Sequence, residues 1–307
     1  MLAAGVLLAA CGGGGPTSPT AGPSSQPPPA VGSVSTTAPG AGQGGPATTT
    51  GPGRPFILVQ DYAIAALNRA GLPAKVIAAL FDNPRTLLIV KGKSSFDRSL
   101  SQASPVESFT SYGDIQRAFD TGAVAANIKY VLYDNEQWSF TPTAEQRDPV
   151  TYAQRAAAVV HEHGRQLIFA PAANLATVLS GGSPDQKFDR FLTLRLAGEG
   201  ARVSDVLEIQ AQQAEATPAF DPFVGAAVQQ ARLSNPNAVI LVGLSTNPAG
   251  RAVTTLDLVS AFNSTRGMVG GYWLNVPGKS PKCPSCGEAQ AGVGVGFVQA
   301  VAGALTG

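Results

Sequence analysis

Ile128-Lys129-Tyr130-Val131-Leu132-Tyr133-Asp134-Asn135-Glu136-Gln137-Trp138 is an apolar, β-rich run that ends in two carboxylates and an indole. Read as a buried strand, it puts Tyr130, Leu132, Asp134 and Glu136 on one face and Val131, Tyr133 and Asn135 on the other, because successive strand side chains alternate. Asp134 and Glu136 then point the same way with Cα atoms ~6–7 Å apart, close enough for each charge to disfavour ionisation of the other. A carboxyl that keeps its proton in this way is suited to general acid catalysis. The plainer alternative makes Asp134 a cap for the following loop and Glu136 a solvated loop residue, and the surrounding chain has to decide between them.

Outward from this strand, β-rich runs at residues 56–60, 86–92, 165–171, 205–212, 238–244 and 269–276 alternate with helical patterns. That alternation predicts parallel βα units. Asp148-Pro149 opens a helix that runs through Val160 and stops at Gly164; residues 186–196, 218–232, 255–262 and 288–305 follow the same scheme. Seven strands are legible, and residues 193–197 or a second early segment supply an eighth. Residues 54–307 are long enough for a single (β/α)8 domain of the TIM-barrel type. An open dinucleotide-binding sheet is disfavoured, since no Gly-x-Gly-x-x-Gly turn follows an early strand.

A barrel of this kind carries its reactive groups at the carboxyl ends of its strands. Those ends deliver Lys91, Asn174, Gln210 and Gln212, then Ser245, Thr246 and Asn247, and finally Trp273 and Asn275. Both tryptophans of the chain, Trp138 and Trp273, fall on this one rim. Indole faces stack on the apolar faces of sugar rings while amides and carboxylates bond hydroxyls, so the mixture fits a glycan cleft. A plug role for Trp273 at the barrel top stays open, and Tyr130, deeper in its strand, reads as core.

The N-terminus has a different composition. Residues 2–10 form an apolar run too short to span a membrane, ending at Cys11. Leu8-Ala9-Ala10-Cys11 resembles the lipobox of bacterial lipoproteins, which implies a signal peptide over residues 1–11 and lipid on Cys11. No Lys or Arg precedes Arg54, which points to a start upstream of Met1. Residues 12–53 are almost wholly Gly, Pro, Ser, Thr, Ala and Gln and cannot repay the entropy of folding, so they are expected to form a disordered tether. With 21 basic and 20 acidic residues and no basic cluster, the chain gives no reason to expect nucleic acid.

The remaining thiols, Cys283 and Cys286, form a nearby pair just after the last strand, and in an exported protein they suggest a local disulfide worth ~2 kcal/mol. No metal site is expected, because His161 and His163 fall at a helix end on the opposite face of the barrel from these cysteines. With both histidines there and no Gly-x-Ser-x-Gly, a Ser-His-Asp mechanism lacks its parts. No cofactor is called for.

The segments Tyr133 to Trp138, Glu208 to Gln212, Gly243 to Thr246 and Gly271 to Pro277 resemble a family of exported actinobacterial proteins, over nearly all of residues 84–300. More remotely, the Asp-x-Glu strand and the tryptophan on the last strand look like chitinase-type glycoside hydrolases. Their strand bears Asp-x-x-Asp-x-Asp-x-Glu with the last Glu as general acid. Only the final Asp-x-Glu is matched here, at Asp134 and Glu136; Leu132 and Tyr130 stand at the preceding positions. The resemblance implies a lipid-anchored, exported glycoside-hydrolase-like barrel at the outer face of the bacterial membrane, with Glu136 as acid. A non-catalytic glycan-binding lipoprotein using the same rim is the alternative, and a second carboxylate opposite Glu136, from Glu208 or Glu215, would separate the two.

Overall fold

Backbone hydrogen bonds join eight parallel strands, in chain order, into a closed barrel in the computed structural model, which describes residues 53–90 and 98–306. The strands are β1 Phe56–Gln60, β2 Thr86–Val90, β3 Ser104–Phe109, β4 Tyr130–Asn135, β5 Gln166–Pro171, β6 Val206–Ile209, β7 Val239–Ser245 and β8 Gly271–Asn275. Helices α1 Asp61–Arg69 and α2 Ala74–Phe81 follow β1, and α3 Tyr112–Asp120 follows β3. After β4 come α4 Thr143–Arg147 and α5 Pro149–Glu162; after β5 come α6 Leu175–Ser180, α7 Lys187–Thr193 and α8 Leu196–Val203. Helices α9 Phe220–Ser234, α10 Thr255–Thr265 and α11 Ala291–Thr306 complete the ring. None of the described helices is long and apolar enough to cross a membrane.

Local chemistry sets several boundaries. Asp148 accepts from the Thr151 N–H while Pro149, which has no N–H to lose, opens α5. Thr254 and Asp257 form a reciprocal capping box at α10. The predicted helix over 186–196 is interrupted, because Arg195 takes a left-handed φ of 55° between α7 and α8. Residues 193–197 therefore cross a helix junction, and the early segment β3 is the eighth strand. Pro105 and Glu107 hide β3 from a propensity reading, yet its register with β2 and β4 fixes it between two buried neighbours. The strand expected over 205–212 stops at Ile209; Gln213, at φ 80°, turns the chain away.

Two apolar surfaces result from strand alternation. Val59, Leu88, Val131, Leu207 and Leu244 face outward into the core beneath the helices, where they join Leu67, Val160 and Val228. Each such side chain contributes about 1.5–3 kcal/mol on burial. The inner face is layered by the register. Leu58, Val106, Ile168 and Leu241 from odd-numbered strands form one layer, and Ile89, Leu132, Glu208 and Trp273 from even-numbered strands lie above it. Gln60, Ser108, Ala170 and Gly243 come next, then Asp134 and Asn275. Ser108, Ala170 and Gly243 are small, which leaves room near the mouth for longer polar side chains.

Candidate functional site

Asp134 sits on the inner face of β4 and is buried, as strand alternation predicts. Gln210, just past β6, donates its amide Nε2–H to Asp134 Oδ1 at 3.0 Å and to the Ala170 carbonyl at 3.1 Å, spanning β5 to reach β4. Glu136 lies one residue beyond β4 and is half-buried. The loop that carries it is built around Thr141, whose hydroxyl donates to the Thr110 carbonyl at 2.8 Å and accepts the Trp138 indole N–H at 2.7 Å. Asn174 Oδ1 accepts the Gln137 N–H at 3.0 Å, so this amide holds the loop in place.

The outer face of β4 is bonded differently. Glu145 is buried and accepts from the Tyr133 hydroxyl at 2.6 Å and from the Tyr112 N–H at 2.7 Å, at the start of α3. Asn135 donates to the Tyr133 oxygen and to the Glu145 carbonyl. Burial and the neighbouring carboxylate push the Tyr133 phenol up, out of the range in which it could ionise. These contacts tie β4 to α3 and α4.

Burial dominates the inner carboxyls. It raises Asp134 to about 6, opposed by the charge of Lys282 and by the Gln210 hydrogen bond. Glu136 rises to about 8, through burial and then the charge of Asp134, with Lys282 and Lys187 pulling the other way. Glu208 is 0 % exposed, neither of its oxygens has a hydrogen-bond partner, and burial followed by the charges of Asp134 and Glu136 holds it well above the carboxylate range. Glu215, in the loop after β6, rises to about 7 by burial, although backbone N–H groups including that of Ser245, at 2.9 Å, oppose the rise.

The remaining rim residues expected from the sequence are placed as follows. Trp138 is half-buried, edge-on to Phe140, with the Lys282 ammonium 4.9 Å from its ring centroid. Trp273 is 5 % exposed within the inner core, in the layer beneath Gln60 and Gly243, and its indole N–H has no partner. Gln212 lies against Gly243, where any Cβ would collide with its amide; glycine there makes room for it. Asn275 Oδ1 faces the Gln60 amide at 3.4 Å. Cys283 and Cys286 are bridged, with Cα atoms 5.4 Å apart. Asn247 reaches under this loop to the carbonyls of Cys286 and Glu288. Lys91 and Cys11 lie outside the described residues, as do residues 12–52 of the expected tether.

Three contributors escaped the sequence reading. Lys282, in the loop after β8, and Lys187, at the start of α7, act on the carboxylates from outside the strands, and Tyr62 in α1 sits beside Asp61 and near Asp134, 54 % exposed. The one signal for Lys282 was its place beside the cysteine pair. Lys187 donates to Gln213 Oε1 at 2.5 Å, and burial followed by the charge of Arg251 lowers its pKa. At the opposite end of the barrel His161 pairs with Asp205 at 2.7 Å and His163 stacks on Phe119, far from the cysteine loop in the chain's βα order. Among the described residues no group of three His, Cys, Asp or Glu side chains is close enough to hold a metal ion. A groove of about 470 Å³ beside β3 and α3 is lined by Ser108, Thr110, Arg117 and Lys282, and the inner carboxylates are not in its wall.

No family model matches the chain, and no curated protein matches it. Among solved structures, a chitinase from Chromobacterium violaceum is 13% identical over 80% of this chain and 99% of its own, with a TM-score of 0.44. Active domain 2 of a thermostable chitinase from Pyrococcus furiosus, crystallised as catalytic-site mutants with chito-oligosaccharides, is 13% identical over 83% and 98%, with a TM-score of 0.45. A sugar phosphate isomerase/epimerase from Parabacteroides distasonis is similar to the same degree, at 12% identity, 84% and 98% coverage and a TM-score of 0.45. A barrel of this kind hosts many chemistries, so function rests on the site itself.

Proposed function

We propose that this chain is an exported, lipid-anchored barrel that acts on a glycan, with Glu136 as general acid and Asp134 as its charge partner. The observation that carries the reading is the closeness of Asp134, on the inner face of β4, to Glu136, just past the end of that strand. There Gln210 binds the lower carboxyl, and no described residue bonds the upper one. A glycosidic oxygen needs a proton as its bond breaks, and a carboxyl still protonated at neutral pH supplies it. Trp138 offers an indole face beside Glu136, and Gln212 and Asn275 offer amides for sugar hydroxyls. The Leu8-Ala9-Ala10-Cys11 tetrapeptide and the resemblance to exported actinobacterial proteins support the anchoring half.

A non-catalytic glycan binder is the second reading, and one observation favours it. Both candidates for an opposing carboxylate are buried: Glu208 is sealed within the barrel, and Glu215 is 6 % exposed with Oε1 held by the Ser245 N–H and Oε2 unbonded. Purified protein screened for cleavage of envelope and chitin-like glycans, with Glu136→Gln as control, decides between them. Cleavage abolished by Glu136→Gln supports the enzyme; glycan binding without cleavage, indifferent to Glu136→Gln, leaves the binder. Mass spectrometry of the membrane fraction tests anchoring, and recovery of an unlipidated Cys11 there would sink it.

A further inference from the structure

Three carboxyl groups share the inner face of the barrel at and below its mouth, and they differ in what holds them. Glu208 lies deepest, in the layer of Ile89, Leu132 and Trp273, with neither oxygen bonded and no exposed surface. Asp134 stands higher on β4 and accepts the Gln210 amide. Between them on β5 is Ala170, opposite Asp134 in the register, whose methyl puts nothing polar in the way. Glu136 is uppermost and makes no side-chain hydrogen bond with the described residues. The cations that reach this group, Lys282 and Lys187, act on the upper carboxyls. Among the described residues the titratable groups acting on Glu208 are Asp134 and Glu136; Ile89, Leu132, Trp273 and Leu241 around it carry no charge.

A buried carboxylate with neither a donor nor a cation is costly, and adjacent like charges raise that cost. One negative charge in this group therefore settles where a donor exists. We propose that Glu208 is a positioning residue that stays a neutral acid beneath Asp134, so that the negative charge rests on Asp134 and Glu136 keeps its proton. The consequence for Glu136 rests on the functional reading above; the placement of charge does not.

The test uses the full-length chain, wild type and Glu208→Gln, by infrared spectroscopy and by thermal melting between pH 4.5 and 8.5. A neutral acid gives a carboxylic C=O stretch at pH 7 that Glu208→Gln removes. A native state that holds a proton which the unfolded chain releases loses stability as pH rises, so the wild-type melting temperature should fall more steeply than that of Glu208→Gln. Equal slopes, or an acid band unchanged by the substitution, would overturn the proposal. Should Glu208→Gln fail to fold, ¹³C-labelled glutamate in Glu208→Asp gives the same reading, since the labelled acid band must lose one component. Cleavage indifferent to Glu136→Gln would sink the functional reading while leaving the Glu208 band in place, so the two failures are distinguishable.

Discussion

Glu145 and Glu208 are both buried glutamates, one tied to the outer face of β4 and the other set within the barrel that β4 helps to close, and the structure treats them in opposite ways. Glu145 takes a phenolic O–H and backbone N–H groups, so its carboxyl is a joint between β4, α3 and α4. Glu208 takes nothing from the protein. The same contrast runs along β4 and the residue after it: Tyr133 and Asn135 point out into a bonded network, while Asp134 points in and takes one amide, and Glu136 beyond it takes no side-chain hydrogen bond from the described residues. A satisfied buried carboxylate fixes structure, whereas an unsatisfied one stores a proton at a cost in stability that folding elsewhere must offset.

The largest expected effect breaks or upholds the inner half of this contrast. Glu136→Gln keeps the side-chain shape but removes the transferable proton, so glycan cleavage should fall by ~10²–10⁴ while binding, followed by calorimetry, survives. Next comes the outer half. Glu145→Ala strands the Tyr133 hydroxyl and the Tyr112 N–H, and urea denaturation should show a loss of about 2–4 kcal/mol, against about 1 kcal/mol or less for Glu208→Gln. Equal losses would erase the distinction between joint and store.

The pH dependence of stability sharpens it further. Asp134, Glu136, Glu208 and Glu215 all have folded-state pKa values raised above their ordinary ones, mainly by burial. Each therefore contributes stability that is full below its unfolded value and is lost as pH rises toward about 6 for Asp134, about 7 for Glu215 and about 8 for Glu136. Melting temperature should decline from pH 4.5 to pH 8, and a flat profile would contradict the raised values. The smallest effect is assigned to Lys282, whose exposed charge is screened by solvent and salt. Lys282→Ala should move the alkaline limb of activity upward by less than about one pH unit, and less again at 1 M salt.

Much of the barrel was legible because its strands are bounded, apolar and spaced by helical periods: seven of the eight were read from the chain. β3 was not, since Ser104, Pro105, Glu107 and Ser108 defeat strand propensity, and pairing to β2 and β4 overrides it. The site was legible where it lies on strands. Asp134 follows from alternation, and Gln210 from its position at the end of β6. Lys282, Lys187 and Tyr62 were not, because Lys282 lies in a loop with no period to give direction, and Lys187 and Tyr62 stand in the first turns of α7 and α1, whose placement over the mouth depends on how those helices pack. Asn174, expected at a strand end on the rim, is seen to hold the loop that carries Glu136, a bond that strand position alone does not reveal.

What the sequence determined by itself is which residues share a face and which end of each strand they reach, because a two-residue period is local geometry. Depth and partnership were decided only by closure of the barrel. Register around eight strands put Trp273 and Glu208 in one buried layer, set Ala170 and Gly243 above them, and brought Gln210 across β5 to Asp134. Those relations join residues far apart in the chain, and the burial that shifts the carboxyls arises only when every strand is in place.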